Sequence, residues 1–253
     1  MRLILTGPTL KHGLPKRPKL ERKKNPMSDE LLSKVLALIE EVGPGGRIAP
    51  ERELSERLHA SRTALRSRLR MLEAVGALER RGSAGTFART MAPGDVADAL
   101  RIGLAASPLA SGEAFQSVRV ALERQAAKQA AEQIHPVPLA YAEEAVMRME
   151  RSEEPEELYE ADLDFHRHLF QASGDKALIF FAEAVSDLLA ASVTARRERM
   201  RALSSDVEEM RTLHRGILDA IKQRDPAAAM TAVDRHFDRI DVLTTPSPPT
   251  LQS

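Results

Sequence analysis

The residues best equipped for chemistry lie in Asp162-Leu163-Asp164-Phe165-His166, with His214 and His236 further along the chain. Asp162 and His166 are four positions apart, about 40° around a helix, so both side chains can approach one ion from the same face. His168 is turned about 240° from Asp162 and cannot join them. His214 opens Leu213-His214-Arg215-Gly216-Ile217-Leu218, and His236 lies in Val233-Asp234-Arg235-His236-Phe237. The apolar neighbours in each case turn the imidazole toward an interior. The chain has no cysteine, so a metal would be held by nitrogen and oxygen donors alone. An N3O set suits zinc first, with nickel, manganese and iron as alternatives. Taken singly, each histidine is more often structural than a ligand. Their grouping in one helical region is what points to a buried divalent transition metal.

The positioning elements follow from composition and pattern. At 253 residues the chain is long enough for two domains, and the charge distribution divides it. Residues 1–26 carry eight Lys and Arg against the single acid Glu21, the signature of a disordered basic arm. Because the whole chain is formally neutral, the remainder is net acidic. The apolar run in Met1-Arg2-Leu3-Ile4-Leu5 is too short for a signal-peptide core, and Glu183 and Asp187 interrupt the best apolar stretch, 177–193. A cytoplasmic protein without a membrane segment is expected.

Residues 27–90 predict three helices and a hairpin. Leu31, Leu32, Val35, Leu38 and Ile39 recur at helical spacing behind Ser28 as N-cap, and Gly43-Pro44-Gly45-Gly46 stops that helix. A short helix from Glu51 buries Leu54 and Leu58. After the turn His59-Ala60-Ser61, a helix capped by Ser61 turns Leu65, Leu69 and Leu72 inward and Thr63, Arg66 and Ser67 outward. Strand, glycine turn and strand then follow across Arg81-Gly82-Ser83-Ala84-Gly85, a wing. Residues 91–95 read as a linker. Helical patterns broken at Ser107-Pro108, Pro136-Val137-Pro138, Glu154-Pro155, Ser173-Gly174 and Asp225-Pro226 fill 96–243 with six or seven helices, and 244–253 form a disordered tail. The predicted class is mainly α: an N-terminal winged helix-turn-helix with a small β wing, and a C-terminal all-α helical bundle.

At these residues the front half resembles the winged-helix domain of the GntR family of bacterial transcription regulators. Ile48-Ala49-Pro50-Glu51-Arg52-Glu53-Leu54-Ser55 is similar to the family's second helix, Ser61-Arg62-Thr63-Ala64-Leu65-Arg66 to its recognition helix, and Gly76-Ala77-Leu78-Glu79 with Gly85-Thr86-Phe87 to its wing. The resemblance implies DNA contacts by Arg52, Ser61, Arg62, Thr63, Arg66 and Gly85. The chain departs from the family at Pro50, where a capping serine is usual, at the stretched wing turn, and at His59, where glycine is common. A left-handed backbone is therefore expected at His59.

The rear half resembles the FadR-type helical effector domain called FCD. Phe115-Gln116-Ser117-Val118-Arg119 with Leu122-Glu123, then the 162–166 segment with Ala172-Ser173-Gly174-Asp175, then 214–220 and 225–236 carry the likeness. In family members with a metal, the positions matching Asp162, His166, His214 and His236 are the ligands. The resemblance further implies a homodimer on a palindromic double-stranded operator, and a small carboxylic acid effector held beside the metal. Arg119 is the candidate to receive that carboxylate in bidentate fashion; spacing alone equally allows a helix-surface arginine paired with Glu123.

The reading that follows is a repressor, not an enzyme, released by a small acid, with the 89–96 segment coupling the two domains. One alternative keeps DNA binding and makes the metal purely structural. Another is a metal-dependent hydrolase fused to a DNA-binding module, for which the sequence offers no HExxH and only carboxylates such as Glu123 that could approach in space.

Overall fold

The computed structural model describes residues 30–105, 107, 115–200 and 207–244, the last stretches of the helices ending at 200 and 244 by their backbone alone. The basic arm, the Ser28 cap, Pro108 and the tail beyond Thr244 lie outside the described residues.

The front domain is built from α1 (Glu30–Val42), α2 (Glu51–Arg57) and α3 (Arg62–Ala74), followed by β1 (Leu78–Arg80) and β2 (Thr86–Ala88). The strands pair antiparallel, Leu78 opposite Ala88 and Arg80 opposite Thr86, and Arg47 adds an isolated bridge to Phe87. Leu32, Val35, Leu54, Leu65, Leu69 and Leu78 close a small core of their own. Each such leucine contributes about 1.5–3 kcal/mol by leaving water. Ser61 caps α3 as its position predicts, its hydroxyl accepting from the Ala64 N–H at 3.2 Å. His59 adopts the expected left-handed backbone, φ 49°. Pro50 at the start of α2 makes no side-chain cap, so Glu51 and Glu53 in the first turn are left to complement the helix N-terminus.

The linker is shorter than the sequence suggests, because α4 (Pro93–Leu104) already begins inside it. Pro93-Gly94 reads as a breaker, yet proline in the first helical turn lacks only an N–H that would have had no intrahelical acceptor. Asp95 supplies the missing signal by accepting from the Ala92 N–H at 2.7 Å; Ala92 has no side-chain oxygen with which to reciprocate. Asp95 also receives Arg89, whose Nε donates to the Gly76 carbonyl at 2.9 Å. The wing is thereby pinned to the first turn of α4.

The rear domain consists of α5 (Gln116–Glu132), α6 (Pro136–Arg151), α7 (Pro155–Ala172), α8 (Lys176–Met200), α9 (Val207–Lys222) and α10 (Pro226–Thr244). With α4, which packs along α8, seven α-helices follow the wing among the described residues. Helix α6 lies along α7, and α10 lies against α5 and α9. Ala126, Ala127, Ala130 and Ala131 give α5 a small-residue face that admits close neighbours, while Phe165, Leu169, Ile217, Leu218 and Phe237 fill the centre. Asp175, after the left-handed Gly174, caps α8 by accepting from the Ala177 and Leu178 N–H groups at 2.9 and 3.1 Å. None of the described helices is long and apolar enough to cross a membrane.

A buried imidazole cluster beside a cavity, and an arginine-rich helix face

Three helices deliver the cluster. Asp162 and His166 stand one turn apart on α7, His214 comes from α9 and His236 from α10. All three imidazoles are buried, and a donor nitrogen from each lies within 4.8 Å of the others. Asp162 Oδ1 is 3.0 Å from His214 Nε2 and 3.6 Å from His166 Nε2. The structure therefore brings all four expected residues together. His168 is turned elsewhere, stacked on Tyr141 with ring centroids 5.1 Å apart and bonded to Gln171.

Hydrogen bonds fix which nitrogens face the centre. His214 Nδ1 is 2.7 Å from the Met210 carbonyl, which can only accept, so Nδ1 carries a proton and Nε2 is the nitrogen turned to the centre. Nε2 lies close to Asp162 but out of line for a hydrogen bond, and both nitrogens of His236 are buried without a partner. Burial, reinforced by His214 and His166, pushes His236 well below its ordinary pKa and keeps it neutral. Orphaned buried nitrogens normally cost about 1–3 kcal/mol each, so their convergence on one point fits a site meant for a cation.

Glu123, wholly buried on α5, organises the other side. Its Oε2 accepts from His166 Nδ1 at 2.6 Å, which aims His166 Nε2 at Asp162 and the centre. Its Oε1 accepts from Arg119 Nε at 2.7 Å. Burial alone would raise the Glu123 pKa, but His166 and Arg119 overcome it and hold the carboxyl ionised. His166 shows the converse balance: burial lowers its pKa, and Glu123 with Asp162 raises it above the usual imidazole value. For Asp162, too, burial is opposed, and outweighed, by His166 and His214, so its pKa falls well below the carboxylate range. Two carboxylates thus make the cluster favourable for positive charge.

Arg119 is not the surface arginine that spacing allowed. It is buried, paired with Glu123, and its guanidinium carbon sits 5.4 Å from the Phe237 ring centre. It lines a cavity of about 260 Å³ together with His166, Tyr159, Leu163 and, from α8, Ala182 and Leu189. Glu123 could not be read as a member of the site from sequence, because its partner His166 is 43 positions away.

The DNA-contact candidates separate into free and engaged groups. Arg52, Ser61, Arg62, Thr63 and Arg66 are exposed on α2 and α3. Gly85, φ 109°, sits at the wing turn, where a Cβ would come within 3.0 Å of Arg47 Nε. Arg66 is held by Glu51, its Nε and Nη2 donating to Oε2 at 3.0 and 2.8 Å. Arg47 on the approach to α2 and Arg81 over the Phe87 ring at the wing, 4.6 Å from its centre, are further exposed cations that no motif singled out.

Comparison with known proteins follows this division. Residues 29–88 match the model of bacterial regulatory proteins of the gntR family, and 115–239 match the FCD domain. The chain is 30% identical over 222 residues to a protein assigned as the L-lactate dehydrogenase operon regulatory protein of Escherichia coli, covering 83% of each. It is 28% identical over 241 residues to the HTH-type transcriptional repressor NanR of Salmonella arizonae, covering 92% of this chain and 88% of the relative. Among solved structures, Streptococcus agalactiae GntR superposes with a TM-score of 0.57 at 23% identity, covering 83% of this chain and 96% of that one, a likeness of fold.

Proposed function

This chain belongs to the GntR family of bacterial transcription regulators, and from that premise we propose that it is a repressor whose grip on DNA is released by a small carboxylic acid bound beside a metal ion. The carrying observation is the convergence of three buried imidazoles, two of them with orphaned nitrogens, next to a cavity that a buried arginine enters. Its relatives are transcription regulators, not enzymes, and the hydrolase alternative has no counterpart among them.

In this reading Asp162, His166, His214 and His236 hold a divalent ion, zinc first and nickel, manganese or iron as alternatives. When bound, the ion supplies open coordination positions for a carboxylate. Glu123 keeps His166 in the ligating tautomer and neutralises Arg119, which lines the cavity and would receive the acid with its remaining guanidinium N–H groups. Lactate-type 2-hydroxy acids are the first candidates, given the operon named for the Escherichia coli relative, and sugar acids, which carry the same carboxylate and hydroxyl groups, are the next class to try. Helix α8 forms one wall of the cavity and carries α4 on its other contacts, and Asp95 on α4 grips Arg89 at the end of the wing. An acid that prefers one setting of α8 thereby shifts the DNA-binding domains, which in a cytoplasmic homodimer meet the two halves of a palindromic operator.

Elemental analysis of the purified protein with His214→Ala as control, combined with thermal melts in the presence of lactate and sugar acids, tests this. Near-stoichiometric metal lost in the variant, and an acid that raises the melting temperature only with metal present, are expected. Metal that stabilises the rear domain while no acid alters either melting or operator affinity would establish the purely structural site. Absence of metal would overturn the reading.

A further inference from the structure

Resting on the DNA binding that the family establishes, we propose that Glu51 is a specificity-determining residue, holding Arg66 side-on so that the end of its guanidinium is offered to a guanine. An arginine has two hydrogen-bonding edges: the side formed by Nε and one Nη, and the end formed by the two Nη atoms. Glu51 Oε2 takes the first edge, accepting from Nε at 3.0 Å and Nη2 at 2.8 Å. The hydrogens left over, two on Nη1 and one on Nη2, form the end-on fork that matches the O6 and N7 acceptors of guanine in the major groove.

The acid is the fixed partner of the pair. The Glu51 side chain is 26% exposed against 53% for Arg66, and it is the first residue of α2, a helix packed against α3. Its other oxygen lies 3.8 Å from Arg80 Nη2, and Arg80 is tied in turn to Glu73 at 3.1 Å. Arg47, Arg52 and Arg62 by contrast have no side-chain partner among the described residues and remain free to follow phosphates. A carboxylate on a DNA-binding face opposes every duplex equally through phosphate repulsion, and the arginine it orients favours only those with guanine in the right place. Glu51 thus lowers overall affinity and raises discrimination.

A merely structural Glu51 would act on the N-terminus of α2, which lacks a side-chain cap, and would move stability rather than base preference. The full-length wild type is used to select a duplex from a randomised pool, and Glu51→Gln, Arg66→Lys, Arg66→Ala and the double variant E51Q/R66A are compared on that duplex, on its single-base variants and on random-sequence duplex at one salt concentration. Expected for Glu51→Gln are several-fold tighter binding to random duplex and a loss of about tenfold or more in preference at one G·C pair per half-site. Arg66→Lys, which keeps the charge but loses the fork, should lose preference at that same pair, and E51Q added to Arg66→Ala should tighten binding to all duplexes alike without changing base preference further. A Glu51→Gln protein with the wild-type base profile, or one weakened evenly at all positions with a lowered melting temperature, overturns the proposal. A wild type that enriches no duplex overturns it together with the DNA-binding premise.

Discussion

The two halves of this molecule each contain an arginine held by a glutamate through its Nε edge, in opposite surroundings. In the front domain, Arg66 on α3 meets Glu51 in water; in the rear domain, Arg119 meets Glu123 with both groups buried. An exposed pair is screened and barely stabilises a fold, so what it sets is direction, whereas a buried pair has already lost its hydration and becomes costly once broken. One arrangement thus orients a side chain for a ligand outside the protein, and the other holds charge inside a site.

The sharpest way to break that comparison is to neutralise each acid. Glu123→Gln leaves Arg119 buried without its counter-ion and frees His166 Nδ1, and is expected to cost about 3–5 kcal/mol in urea unfolding. Adding Arg119→Met should recover part of the loss, because the stranded charge is gone. Glu51→Gln should cost no more than about 1 kcal/mol, the scale of a charge at a helix N-terminus. Equal losses at the two positions would show that burial does not separate them.

Burial is also what separated legible from illegible in the sequence. The helical repeat of Leu65, Leu69 and Leu72, the Ser61 cap and the left-handed His59 are local properties, and each appears where the pattern put it. The four ligand candidates were found because residue type and inward-facing neighbours mark them individually. Spacing offers Glu123 as a partner for Arg119, but its bond to His166 is set by how α5 lies on α7 and has no local signal. Arg119 is ambiguous in the sequence for a related reason: i,i+4 spacing gives its partner but not whether water reaches the pair. Pro93 misled in the other direction, as proline starts helices as readily as it ends them and only the Asp95 cap settles which.

A middle-sized effect sharpens the contrast between oriented and free arginines. Arg62, the first residue of α3 and without a side-chain partner among the described residues, should lose about ten- to a hundred-fold in operator affinity when changed to Ala, with the urea midpoint unchanged. If it follows phosphate, the loss will be shared by random duplex and accompanied by a shallower salt dependence, unlike the base-specific loss expected at Arg66. A base-specific loss at Arg62 with an unaltered salt slope would exchange the roles of the two residues.

The smallest effect concerns the joint between the regions. Asp95 is held below its ordinary pKa first by the Ala92 N–H and then by Arg89. A depressed carboxylate contributes stability that is fully present above its unfolded pKa of about 3.9 and is lost as pH falls through the lower folded value. Asp95→Asn should therefore cost about 1 kcal/mol, the scale of a helix cap, throughout pH 5–8, and the gap to wild type should begin to narrow below about pH 4 and close only beneath the folded-state pKa. Because the same side chain ties Arg89 and the wing to α4, the variant should also bind operator with wild-type affinity in the absence of acid yet respond less to it. Loss of stability without loss of response would confine Asp95 to capping and place the coupling between effector and DNA elsewhere along α4.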